Sequence, residues 1–80
     1  MPRGERQIPK SLKSEWRTLA ERMRDAGWTF EQGGKHPKAF APDGSSWTTL
    51  SGTSGDVAAW RNASAAFRRW CRENDVDPGI

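Results

Sequence analysis

Two stretches of this chain repeat apolar side chains at helical spacing, and they bracket a middle that does not. In the first, Leu12, Trp16, Leu19, Ala20 and Met23 follow at offsets 0, 4, 7, 8 and 11. In the second, Trp60, Ala63, Phe67, Trp70 and Cys71 follow at offsets 0, 3, 7, 10 and 11. Each set is one face of an α-helix. Lys13, Arg17, Glu21, Arg22, Arg24 and Asp25 fill the other faces of the first, a mixed-sign surface that reads as solvated. Pro9 to Ser11 form a start signal, with Ser11 a candidate cap, and Gly27 offers a left-handed stop. A chain of 80 residues has room for one core. Both helical faces must therefore be buried against the same middle segment.

That middle reads as three short strands. Trp28-Thr29-Phe30-Glu31-Gln32 alternates apolar and polar, which predicts Trp28 and Phe30 facing the helices, with Thr29 and Glu31 in solvent. Gly33-Gly34 breaks it, Lys38 to Ala41 is a second strand, and Pro42-Asp43-Gly44 is a turn signal. Ser46 to Leu50, with its aromatic and β-branched residues, is a third. Short connections make these an antiparallel meander. Ser51 to Asp56 is a loop, with Ser54 or Asp56 placed to cap the second helix. The expected fold is α+β, in the order α-β-β-β-α, with two helices on one face of a three-stranded antiparallel sheet. Trp16, Trp28, Trp60 and Trp70 are expected to meet between the layers. Residues 9–72 form the single domain, 1–8 an N-terminal tail and 73–80 an acidic C-terminal tail.

Composition narrows the chemistry. One cysteine, Cys71, allows no intramolecular disulfide and sits on the apolar helical face, as a core residue would. One histidine, His36, excludes the usual multi-ligand metal sites, so neither a metal nor another cofactor is expected. No apolar run reaches the length of a membrane span, and the start of the chain lacks the apolar segment of a signal peptide. The expectation is a cytoplasmic protein with no membrane partner. The net charge is +3, and it is uneven: residues 1–26 balance to +3, 27–56 to −1 and 57–80 to +1. A moderate basic excess of this kind suits nucleic acid without requiring it.

His36 is the sharpest candidate for chemistry. Its ring can take or give a proton near neutral pH. Lys35 and Lys38 flank it and could hold a phosphate, and the Gly34 backbone allows close approach of a ligand. Arg61, Arg68, Arg69 and Arg72 on the second helix could grip a phosphate backbone. On residues alone the plainer readings stay open: a surface histidine in a polar loop, and a solvated arginine face. The tryptophans read as core, with Trp47 the least settled because its strand alternates weakly.

Taken in order, Ala26-Gly27-Trp28-Thr29-Phe30, Gly34-Lys35-His36 and Pro42-Asp43-Gly44 resemble the HicA family of small toxins. The later Ser51 to Asp56 loop, Arg61-Asn62-Ala63 and Arg68-Arg69 are similar to HicA-like proteins of actinobacteria and their phages. The resemblance covers about residues 10–72. It implies a double-stranded-RNA-binding-like fold, RNA binding, and mRNA cleavage that needs no metal and uses His36. It also implies an antitoxin partner that masks the site. Lys35 stands at the family's Ser, Pro37 follows His36, and Ser51-Gly52-Thr53 occupies the place of a Pro-x-His segment. These departures leave an alternative: a non-catalytic module on the same fold that binds nucleic acid or inhibits a host protein.

Overall fold

The computed structural model describes residues 7–9, 12, 15–32, 36–51 and 57–80. The elements are α1 (Glu15–Asp25), β1 (Thr29–Glu31), β2 (Lys38–Phe40), β3 (Trp47–Thr49) and α2 (Val57–Glu73). The order is α-β-β-β-α, and the three antiparallel strands lie in the sequence order β1-β2-β3. Ser11, Gly33, Gly34, Lys35, Ser54 and Asp56 lie outside the described residues, so the capping and loop expectations placed on them do too.

The helices begin and end where backbone chemistry requires. Leu12 N–H donates to the Pro9 carbonyl at 3.2 Å, and α1 spans Glu15–Asp25. Gly27 adopts φ +94°, Gly27 N–H donates to the Arg24 carbonyl and Trp28 N–H to the Met23 carbonyl, both at 2.9 Å. This paired pattern closes the last turn of α1 with a left-handed residue, as Gly27 in the sequence predicts. The same closure ends α2, where Val76 N–H donates to the Cys71 carbonyl at 2.8 Å. There the left-handed position is held by Asp75, at φ 55°.

Register sorts the sheet into two faces. Thr29, Phe30 and Glu31 pair with Phe40, Ala39 and Lys38. Lys38, Ala39 and Phe40 pair with Thr49, Thr48 and Trp47. Side chains alternate along each strand, so Trp28, Phe30, Ala39, Ala41 and Leu50 share the inner face. All five join Leu12, Trp16, Leu19, Met23, Phe67, Trp70 and Cys71 in one buried cluster. Trp28 is its centre, edge-on to Phe67 (5.5 Å, 83°) and to Trp70 (5.7 Å, 86°). Such arrangements put the positive ring edge against the negative ring face. Trp16 is also buried, whereas Trp60 is partly buried and its Nε1 donates to the Glu15 carbonyl at 3.3 Å.

Two expectations are corrected. Thr29 is only 8% exposed although it lies on the outer face, opposite the equally buried Phe40. Residues 73–80 do not stand apart as a tail: Glu73 completes α2, and Val76 and Ile80 pack against the core. Gly79 lies beside the Arg22 side chain of α1, close enough that a Cβ there would stand 3.1 Å from its Cδ. At the other end of the chain, Ile8 is already part of the core.

Candidate nucleic-acid interface

The β2–β3 hairpin carries the candidate residues, and its two ends differ. At the turn end, Ala41 N–H donates to the Ser46 carbonyl at 2.9 Å, and Gly44 N–H to the Ala41 carbonyl at 3.0 Å. Gly44, at φ +74°, takes the left-handed step of this turn. Asp43 then organises it: one carboxylate oxygen accepts from Ser45 N–H (3.0 Å), Ser45 Oγ (2.8 Å) and the Nε1 of Trp70 on α2 (3.2 Å). The Ser45 backbone bond comes first among the causes that hold the Asp43 carboxyl below its ordinary value of 3.8. Asp43 is thus a structural residue, clamping the turn to the helix.

At the other end, Leu50 N–H donates to the Pro37 carbonyl at 2.8 Å. Pro37 has no N–H to return, so the ladder is half-made there and stops. His36 sits immediately beyond that last rung and is half-buried. It lies in a bend, two residues before Lys38.

The outer face itself holds Glu31, Lys38, Phe40, Trp47 and Thr49. Phe40 and Trp47 are opposed at a position where the ladder bonds place side chains closest, and their rings stack at 6.4 Å and 29°. The Lys38 ammonium lies 5.5 Å from the centre of the Trp47 ring, across the strand diagonal. Trp47 is nevertheless 56% exposed, an unusual exposure for the largest apolar side chain. Glu31, Lys38, Phe40 and Trp47 line a shallow hollow of about 570 Å³ on this face. Trp47 also borders a second hollow, at the sheet edge, with Thr48, Thr49 and the α2 residues Ala59 and Asn62.

The arginines lie on a different layer. Ala59 and Asn62 are level with β3, while Trp70 reaches the Asp43 turn. Helix α2 therefore runs from beside β3 toward the hairpin turn. Arg61 lies near the β3 end, next to Asn62; Arg68, Arg69 and Arg72 lie toward the turn. All four are exposed, and none forms an ion pair with another described residue. On α1, Arg17 pairs weakly with Glu21 (4.0 Å) and Arg24 with Asp25 (3.7 Å), as a solvated face would. Cys71 is buried, and burial, then the charge of Asp77, pushes its thiol up; it has the character of a core residue rather than a nucleophile.

Arg61 thus lies beside β3, next to Asn62, whereas Arg68, Arg69 and Arg72 lie around Trp70 near the turn, at the end of the hairpin away from His36. Gly34 and Lys35 lie outside the described residues. Sequence reasoning missed the outer-face alliance of Phe40, Trp47 and Lys38. The signal was present in the alternation of 38, 40 and 47, 49, once Ala39 is taken as inward-facing. Among the described residues, no helix is long and apolar enough to cross a membrane, and no group of three metal-ligating side chains comes together. Comparison of the chain with protein-family models, with curated proteins and with solved structures finds no match.

Proposed function

We propose that this chain is an RNA-binding protein of the HicA-like kind and cleaves RNA without a metal, with His36 as the general acid–base. One observation carries the reading: half-buried His36 stands next to Pro37, whose carbonyl accepts from Leu50 N–H, and two residues before Lys38, whose ammonium lies on the outer face beside Trp47. In the reaction, the RNA 2′-oxygen attacks its own 3′-phosphorus while His36 takes the hydroxyl proton. The bond from phosphorus to the 5′-oxygen breaks, and that oxygen receives a proton from the imidazolium. The products are a 2′,3′-cyclic phosphate and a free 5′-hydroxyl. Lys38 offsets the growing charge on the phosphate, which is the larger part of what a positioned cation contributes. Arg61 extends the phosphate track past the β3 edge. Partner proteins, an antitoxin among them, would act by covering this face.

The test is degradation of RNA by the purified chain with chelator present, beside His36→Ala at equal foldedness. General acid–base catalysis by one group contributes about 10²–10⁴-fold, so the variant should lose at least about a hundredfold in rate. Equal rates in the two proteins would dismiss His36. A second reading, a binding module without catalysis, is favoured by the exposure of Trp47, which no chemistry at His36 requires. That reading prevails if the natural chain binds RNA or a protein in the same preparation and cuts nothing.

A further inference from the structure

We infer that Trp47 is a stacking platform for an unpaired nucleobase, and that Glu31 favours a base carrying an amino group. The inference rests on the RNA reading above and names the form of RNA it would take. Three observations carry it. First, Trp47 lies stacked against Phe40 yet remains 56% exposed, a combination that presents an aromatic surface to solvent. Second, the Lys38 ammonium borders that surface, and its long side chain can leave the ring for a phosphate when a base arrives. An aromatic ring bordered by a mobile cation suits a strand of alternating bases and phosphates. Third, Trp47 is a ridge with a hollow on either side: Glu31, Lys38 and Phe40 on one flank, Ala59 and Asn62 on the other. A single strand can step over such a ridge. A duplex cannot use it, because its base faces are already stacked.

Glu31 is the side chain that a simple phosphate site would not contain. Its carboxylate lines the same hollow directly across the strand from Lys38. It repels phosphates but accepts hydrogen bonds from exocyclic amino groups, as acidic side chains do from cytosine N4. Cytosine, adenine and guanine carry such a group; uracil does not.

The experiment measures anisotropy of short labelled RNAs whose 2′-oxygens are methylated, so that nothing is cut. The natural chain, Trp47→Ala, Trp47→Phe and Glu31→Gln are compared on oligocytidine, oligouridine, an abasic-substituted strand and a duplex. All variants are exposed-site changes, and circular dichroism confirms their folding. Expected are roughly tenfold weaker binding by Trp47→Ala, near-natural binding by Trp47→Phe, and an equal loss when the base is removed from the RNA instead. Oligocytidine should bind several-fold tighter than oligouridine, and Glu31→Gln should narrow that gap. If the natural chain binds but Trp47→Ala or the abasic strand binds equally well, or the duplex binds as tightly, the platform is wrong while the RNA reading stands. An equal affinity for both oligomers removes the role of Glu31. If no RNA binds any of the four proteins, the RNA reading itself falls, and the exposed Trp47 belongs to a protein partner.

Discussion

Asp75 does at the end of α2 what Gly27 does at the end of α1, and the comparison is a measure of what a Cβ costs. Both occupy the left-handed position of the same closing motif, at φ 55° and φ +94°. Asp tolerates that conformation better than most residues, but it still carries a side-chain clash that Gly lacks. Asp75→Gly should therefore stabilise the chain by about 0.5–1 kcal/mol in urea unfolding, and Gly27→Ala should destabilise it by about 1–2 kcal/mol. No clash with a neighbour adds to the second figure, since a Cβ at Gly27 would meet Pro42 at 3.5 Å, an ordinary contact. Of these two stops, Gly27 is readable from the sequence, because Gly after a periodic face is a stop signal. Asp75 is not, since a residue that merely tolerates the left-handed region leaves no distinctive mark. Thr29 and Trp47 were obscured for a related reason. In strands of three residues the period-2 signal has too few positions to tell a sheltered outer threonine from an exposed one, or an outer tryptophan from a core one. At the Trp47 surface the magnitudes favour a bound base over the resident lysine. An exposed cation–π contact contributes about 0.5–1 kcal/mol, a stacked base about 1–3 kcal/mol.

At the scale of elements, the Pro42-Asp43-Gly44 turn was legible as a turn, but its tie to Trp70 was not. The bond joins residues 27 positions apart, and no spacing rule links a loop to a helix at that distance. It sets the register between hairpin and helix and so helps to place the hollow where β3 meets α2. Its pH dependence has a definite sign. Asp43 is held below the ordinary value of 3.8, so its contribution to stability is complete above that value and is lost as pH falls through the lower folded-state value. Asp43→Asn should flatten this acid limb of the unfolding curve. Trp70→Phe, which keeps the ring and removes the donor, should raise the Asp43 carboxyl toward its ordinary value, as carbon-13 titration of that carboxyl would read. An unchanged titration in Trp70→Phe would mean that Ser45 alone holds the charge.

At the scale of the whole molecule, the α-β-β-β-α order and the buried faces of both helices followed from apolar period alone, because 3.6 and 2 are easily told apart over 11 and 17 residues of helix. What period cannot supply is which surface cations end up together. The sequence offers one basic set of candidates, Lys35, Lys38, Arg61, Arg68, Arg69 and Arg72. The fold divides it, because α2 covers the inner face of the sheet and runs toward the hairpin turn, carrying three arginines away from His36. A short RNA seated on the outer face should then feel Lys38 and Arg61 but not the distant three. Lys38→Ala should weaken binding uniformly across base compositions and lower the slope of log affinity against log salt by about one, the signature of one lost phosphate contact. Arg61→Ala should do the same in smaller measure. Replacing Arg68, Arg69 and Arg72 together by Ala removes three times the charge, yet should leave both the slope and the affinity for a short strand nearly unchanged. The opposite ranking, a large loss from the triple replacement and none from Lys38→Ala, would move the binding surface to the helical layer and separate it from His36. Charge number alone predicts that opposite ranking, so the two accounts part on a single salt titration.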